Sequence, residues 1–240
     1  MPPDASSDGP GPAARGERAT IPLFPLGLVL LPGMLLPLNI FEPRYRTLVQ
    51  DLLASPAQSL PAFGVVAIRQ GHEVGADSVS SLYEIGTIAT VTRIESLPDG
   101  RFNLMSFGSH RFEVHDLDHS RPYLQASVSM IDDPDEPADA GHPEVPELVA
   151  AFRTYLETLT AIRGDELSVP TLPDATNMLS WLIAGTIVVD LPVRQRLLEI
   201  LRTPERLAAE VALLRSETNL LKKMAAAPAP YLVRAPQHPN

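Results

Sequence analysis

Residues 21–45, from Ile21 to Tyr45, read IPLFPLGLVLLPGMLLPLNIFEPRY, and this stretch decides the fold. It is almost wholly apolar, yet it contains Pro22, Pro25, Pro32, Pro37 and Pro43. Each proline fixes φ and removes an N–H donor, so neither a continuous core helix nor a membrane-spanning helix can form here. The segment is expected to be a buried, repeatedly turned β element that runs into a helix. Ile21–Leu26 and Leu35–Ile40 read as strands on either side of a turn at Leu31-Pro32-Gly33-Met34. Pro37 cannot donate to a ladder and belongs at a sheet edge or bulge. Pro43 suits the first position of a helix. Tyr45, Leu48, Val49, Leu52 and Leu53 then give one apolar helical face, ending near Ser55-Pro56.

Working outward, the chain stays β-like to Ile131. Phe63–Ile68 is a compact apolar run, and Gly86–Leu97 is rich in Thr, Val and Ile. Pro98-Asp99-Gly100 reads as a turn, with Arg101–Gly108 as the returning strand and Arg111–Leu117 as the next. Leu124, Ala126, Val128 and Met130 alternate with polar residues, the pattern of a half-buried strand. Several short strands and one helix suggest a small, strongly twisted barrel.

Beyond an acidic, proline-containing stretch the period becomes helical. Leu148, Val149, Phe152, Leu156 and Leu159 form one stripe; Met178, Leu179, Leu182, Ile183 and Ile187 form another. Pro192 opens a third helix, and Thr203-Pro204-Glu205 reads as a cap, a first-position proline and an early carboxylate. Leu207, Val211, Leu214, Thr218 and Leu221 follow a near-heptad seam. The C-terminal half is expected to be a helical bundle. The expected organisation is an arm over 1–19, a β-rich unit over 20–131, an acidic linker over 132–146, a helical unit over 147–224 and a tail over 225–240. Both ends are too polar or too Ala/Pro-rich to offset the entropy of ordering.

The 240 residues carry a net charge of −10. Seven acidic residues and no Lys or Arg lie between Asp132 and Glu147, so that stretch supplies −7 and the rest −3. Lysine occurs only at Lys222 and Lys223. A phosphate-backbone binder needs a clustered basic face, and none is visible in the linear pattern, which leaves only a convergence of scattered arginines in the fold to supply one. With no cysteines there are no disulfides, thiolate metal sites or cysteine nucleophiles. No signal-peptide pattern opens the chain and no run of about 18 apolar residues follows, so a cytoplasmic location off the membrane is expected.

Catalytic signatures are missing. There is no Gly-Lys pair for a phosphate-binding loop and no G-x-S-x-G elbow. A Ser–Lys dyad would have to use Lys222 or Lys223, at a helix end where burial cannot lower a lysine pKa. His115-Asp116-Leu117-Asp118-His119 resembles a metal cluster, but on a strand its histidines and aspartates point to opposite faces, so solvated strand-end residues are the preferred reading. Glu42 and Arg44 read first as a carboxylate near a helix N-terminus and an arginine covering an apolar edge, and second as a polar anchor for a partner. Trp181 reads as core rather than as a stacking platform. Arg111, after Gly108-Ser109-His110, could brace a turn or face a groove; both readings stay open.

With these residues in hand, the chain resembles the N-terminal, substrate-binding domain of the Lon ATP-dependent protease family. The resemblance is carried by Ile21-Pro22-Leu23-Phe24-Pro25-Leu26, Leu31-Pro32-Gly33-Met34, Leu36-Pro37-Leu38 and Phe41-Glu42-Pro43-Arg44-Tyr45. It continues at Gly86-Thr87, Leu97-Pro98-Asp99-Gly100, Gly108-Ser109-His110-Arg111-Phe112, Gln195-Arg196-Leu197-Leu198-Glu199 and Arg206-Leu207. It covers about residues 20–217 and implies an α+β fold, a β-rich PUA-like pseudo-barrel followed by a C-terminal helical bundle. The ATPase and Ser–Lys peptidase domains of such proteases are not in this chain. The expectation is a stand-alone, non-catalytic polypeptide-binding module without cofactor or metal, an adaptor or regulator in protein quality control. Its expected partners are unfolded or extended polypeptide and a protease or other quality-control protein. The residues expected to meet a partner are Met34, Leu36, Phe41, Arg44 and Arg111. The alternative is a small-ligand binder or an uncharacterised enzyme using the cleft between barrel and bundle. RNA binding by analogy with PUA domains ranks third, because fold does not carry function.

Overall fold

The computed structural model describes residues 18–54, 60–71, 79–131, 142–164 and 171–226. Most of the expected N-terminal arm, acidic linker and C-terminal tail lies outside the described residues, while Arg18 and Ala19 of the arm begin a strand and the first two residues of the tail end a helix. Seven strands and five helices are described: β1 (Arg18–Leu26), β2 (Leu35–Ile40), α1 (Pro43–Ala54), β3 (Ala62–Gly71), β4 (Val79–Leu82), β5 (Ile85–Ser96), β6 (Phe102–Asp118) and β7 (Gln125–Ile131), then α2 (Glu144–Arg163), α3 (Thr176–Thr186), α4 (Leu191–Glu199) and α5 (Thr203–Ala226).

The strand pairings close on themselves. The first half of β1, Arg18–Pro22, runs antiparallel to β7, and its second half, Leu23–Leu26, runs parallel to β3. β3, β5, β6 and β7 then pair in that order, all antiparallel, which completes a ring back to β1. Pro22 sits where β1 changes partner. Among the described residues, ring closure leaves β2 and β4 as the strands with one partner each, on β6 and β3 respectively.

β2 explains its proline. Gly108 N–H donates to the Met34 carbonyl (2.9 Å) and Gly33 N–H to the Gly108 carbonyl (2.8 Å). By antiparallel alternation the main chain of Leu36, Leu38 and Ile40 then faces β6, while that of Leu35, Pro37 and Asn39 faces away. Pro37 thus costs no ladder bond. The turn before β2 has Pro32 in its second place and Gly33, at φ +82°, in its third, with Met34 N–H donating to the Leu31 carbonyl at 3.1 Å. Only glycine adopts that third conformation without strain, as a type II turn requires.

Three departures from the sequence reading have physical causes. β6 is one 17-residue strand, not two segments broken at Ser109-His110. On the edge away from β5 it borders β2 over Phe102–Phe107 and β7 over Arg111–Asp118, so one edge serves two neighbours. Gly108 does not break it, because the glycine is there to let the Leu31 carbonyl approach. β4 was not anticipated in the sequence. α2 begins at Glu144, inside the stretch expected to be linker, because Pro146 falls in the first helical turn, where its missing N–H has no intrahelical role.

Phe24, Tyr45, Leu48, Phe63 and Leu104 belong to the core that packs α1 and β2 against the sheet, with Phe24 stacked on Tyr45 at 3.9 Å. Leu148, Phe152, Ile183, Leu207 and Leu214 form the helical core. A third cluster joins the halves: Val29, Leu31 and Ala67 from the sheet side meet Trp181, Ala184 and Leu198 from the helices.

Candidate functional site

The β1–β2 connection and α3 face each other across this joint and leave a cleft of about 890 Å³. Met34, Phe107 and the glycines Gly33 and Gly108 form its sheet wall; Met178, Trp181, Leu182 and Gly185 form its helical wall. The walls are mostly apolar, and two methionines with unbranched, adaptable side chains face it. Gly185 faces the Met34 side chain across the cleft, where an added Cβ would make ordinary contact at 3.4 Å. Met178 is 63% exposed at the rim.

Behind Trp181 lies a buried polar cluster. The Arg206 guanidinium lies 3.7 Å from the centre of the Trp181 ring, and that of Arg111 5.2 Å from it. Arg206 Nε donates to Ser180 Oγ and Ser180 Oγ donates to Glu210 Oε1, each at 2.7 Å. A second Arg206 nitrogen donates to Asn177 Oδ1 at 2.6 Å. Burial pushes the Glu210 carboxyl up to about 8, against the opposing pull of the Ser180 hydrogen bond and the Arg206 charge. Among the described residues the second Glu210 oxygen is buried without a partner, which suits a neutral acid and not a carboxylate. This cluster holds α3 against α5 and so positions one wall of the cleft.

Arg111 resolves as a brace. It is fully buried and donates to the carbonyls of Leu198 and Ile200, both at 2.7 Å, at the C-terminus of α4. That end carries the negative pole of the helix, where a cation is favoured. Gln195 adds a second tie, donating to the Ile85 carbonyl at 3.0 Å. These bonds join sheet to helices and fix the width of the cleft.

The structure brings only one of the five expected partner residues, Met34, to the cleft. Leu36 is 4% exposed and packs into the core, because alternation along β2 turns it inward and Leu35 outward. Phe41 is exposed. Arg44 is half-buried, paired with Glu42 at 3.0 Å and stacked over Tyr45 at 4.5 Å. Arg111 is closed to any partner by its burial. The sequence reading named Met178 only as part of an apolar helical stripe and Arg206 only within the resemblance, and it did not single out Phe107, Gly185, Ser180 or Glu210. Arg206 and Glu210 stand one helical turn apart, a polar pair beside an apolar seam, and that spacing was the available signal. His115 of the acidic–histidine run bonds Ser129 Oγ at 2.9 Å and Asp118 accepts from Ser120, all of it solvent-exposed.

Fold and cleft together define the class: a sheet-rich fold with five helices, its helical half braced to a strand ring around an apolar cleft. Residues 20–216 match the ATP-dependent protease La (LON) substrate-binding domain, and the chain belongs to that family. It is 26% identical over 204 residues to Lon protease 2 of Herpetosiphon aurantiacus, covering 84% of this chain and 24% of that protein. It is 34% identical over 117 residues to a Lon protease of Parabacteroides distasonis, covering 48% of this chain and 13% of that one. The chain thus spans about a quarter or less of the length of these relatives. Among solved structures, the fold is similar to a Lon N-terminal domain protein from Xanthomonas campestris (TM-score 0.56, 24% identity, 81% of this chain and 98% of that one). It is also similar to the N-terminal domain of a Mycobacterium avium complex Lon protease (TM-score 0.54, 16% identity, 84% and 98%). Among the described residues, no helix is long and apolar enough to cross a membrane.

Proposed function

We propose that this chain is a non-catalytic polypeptide-binding module, acting as an adaptor or regulator in protein quality control, and that the cleft between its halves receives the polypeptide. One observation carries the reading: a family described as substrate-binding here presents a mostly apolar, methionine-faced cleft on a braced joint. Exposed apolar concavities of this kind commonly mark interaction sites. Ring closure of the sheet favours a PUA-like pseudo-barrel over 20–131, and the shared helical core favours a bundle over 147–224. Of the residues expected to meet a partner, Met34 is the one retained as a contact.

The single tryptophan of the chain is a wall of the cleft, so its emission reports occupancy. Titrating reduced, carboxymethylated α-lactalbumin labelled with fluorescein should give saturable anisotropy, and an unlabelled, tryptophan-free extended peptide should shift Trp181 emission. Met178→Glu, at an exposed rim position, should weaken binding by about tenfold or more. Absence of saturable binding by the unsubstituted chain would remove the reading. A small apolar ligand is the second reading, favoured by a cleft volume within the range of about 300–1,000 Å³ typical of ligand sites. It would gain if a compact apolar probe displaced the polypeptide while peptides alone failed to bind.

A further inference from the structure

We propose that the cleft is one end of a longer track over the outer face of β2 and β6, and that the track takes an extended polypeptide segment with apolar side chains at alternate positions. This rests on the polypeptide-binding reading of the cleft and adds the conformation and pattern of the segment. A second groove, of about 400 Å³, lies on the same face and is lined in part by Pro37, Asn39, Asn103, Met105, Arg93 and Glu95. Phe107 lines the cleft and Met105 the groove. Two residues apart on one strand, they share a face and stand about 6.8 Å apart. Across the ladder Leu35 lies opposite Phe107, and Pro37 opposite Met105. Leu35 is 69% exposed, so the band between cleft and groove is apolar and open.

The occupant follows from spacing and chemistry. An extended peptide repeats its side-chain directions every two residues, at the interval of the strand beneath it. Alternate apolar side chains of such a peptide fall in step with Phe107 and Met105. An extended peptide also carries unpaired N–H and C=O groups that need partners. Asn39, bonded to Asn103 at 2.6 Å, and the exposed Arg93 and Glu95 offer donors and acceptors at the far groove. An alkyl chain would have no use for them.

Ladder addition to the edge of β2 that pairs with no other strand among the described residues is the competing geometry, and Pro37 decides against it. The main chain of Leu35, Pro37 and Asn39 faces that edge, and Pro37 removes the central donor. Recognition therefore runs over the face, through side chains, not along the edge through main-chain bonds.

The test uses two labelled peptides of alternating Leu and Ser, one of eight residues and one of four, with the full chain. Anisotropy gives affinity and Trp181 emission reports the cleft. The octamer should bind at least about tenfold more tightly than the tetramer. Met105→Glu should bring the octamer to within about twofold of the tetramer while leaving the tetramer unchanged. Leu35→Asp, at a more exposed position, should do the same and covers the case in which the first variant fails to fold. Equal affinities for the two peptides, or an octamer indifferent to both substitutions while Trp181 still responds, would overturn the track and leave the cleft reading standing. Failure of both peptides to bind the unsubstituted chain would overturn both.

Discussion

Arg111 in the sheet half and Arg206 in the helical half lie beside the same ring, Trp181, and both are fully buried. Their surroundings differ. Arg111 donates to main-chain carbonyls at the end of α4, acceptors pinned by the helix that carries them. Arg206 donates to the side chains of Ser180 and Asn177, and Ser180 in turn depends on Glu210. The first support needs only that two pieces of secondary structure stay folded. The second needs four side chains to hold one arrangement, one of them titratable. The joint between the halves is therefore rigid on the sheet side and conditional on the helical side, and the cleft inherits both properties.

The sharpest way to break the rigid side is Arg111→Ala. It removes one of the largest buried side chains and leaves carbonyls of Leu198 and Ile200 without their charged donor. Stranded buried acceptors cost about 1–3 kcal/mol each and the void adds to that, so a loss of about 3–5 kcal/mol is expected in urea unfolding followed by circular dichroism. Arg111→Lys should recover part of it, because an ammonium keeps the charge but lacks the planar fork. A loss below about 1 kcal/mol would mean that the joint does not hang on this residue.

Gly86→Ala tests how little slack the sheet half has. A Cβ at Gly86 would meet the main-chain oxygen of Val65 and the Phe112 ring at once. The oxygen belongs to β3, which pairs with β5, so it cannot retreat without distorting the ladder. A destabilisation of about 2–3 kcal/mol is expected, measured the same way. Gly185→Ala, where the nearest atoms belong to the Met34 side chain at 3.4 Å, should cost well under that. Equal costs would erase the distinction between a backbone-limited sheet and an adaptable cleft.

Glu210 gives the conditional side its pH dependence. Its carboxyl titrates at about 8 in the fold, raised chiefly by burial, against an ordinary value of 4.5. Between those values the unfolded chain has lost a proton that the folded chain retains, so stability falls as pH rises from about 4.5 to about 8 and levels off above. The loss should be on the order of a few kcal/mol. Glu210→Gln keeps the shape without the charge. It should flatten this slope, leaving stability at pH 5 nearly unchanged and raising it at pH 8.5. Thermal melts at both pH values check this; parallel profiles for the two proteins would sink it.

The same contrast explains what was legible in the sequence. β2 was expected at Leu35–Ile40 and is observed there, and the turn before it and the α1 start at Pro43 also follow the expectation. Those signals are local: Pro and Gly restrict φ where they stand, whatever surrounds them. The seam of α5, with Leu207, Val211 and Leu214 buried, is local in the same sense, whereas Thr203, expected as its cap, is instead its first helical residue. Leu36 and Leu35 were harder, since both are apolar and only the pairing of β2 with β6 decides which turns inward. Ser180, Arg206 and Glu210 were least visible, because a polar residue on a helix reads as solvated until another helix is known to cover it. The cleft draws Met34 and Phe107 from the β half and Trp181 from α3, so no single window of the chain contains it.

Phe41 offers the smallest effect and separates display from support. It follows β2 directly and is 55% exposed, so truncating it removes little buried apolar area. Phe41→Ser should change stability by no more than about 0.5 kcal/mol, the usual range for surface positions away from special features. It also lies outside the residues that line the cleft and the groove beyond Met105. Its substitution should leave octamer affinity within about twofold, where Leu35→Asp changes it by about tenfold. A loss of binding in Phe41→Ser with unchanged stability would move the peptide surface toward the start of α1 and away from α3. That outcome would cut the link between Trp181 and recognition, since the supports of Arg111 and Arg206 would then shape a wall that no ligand touches.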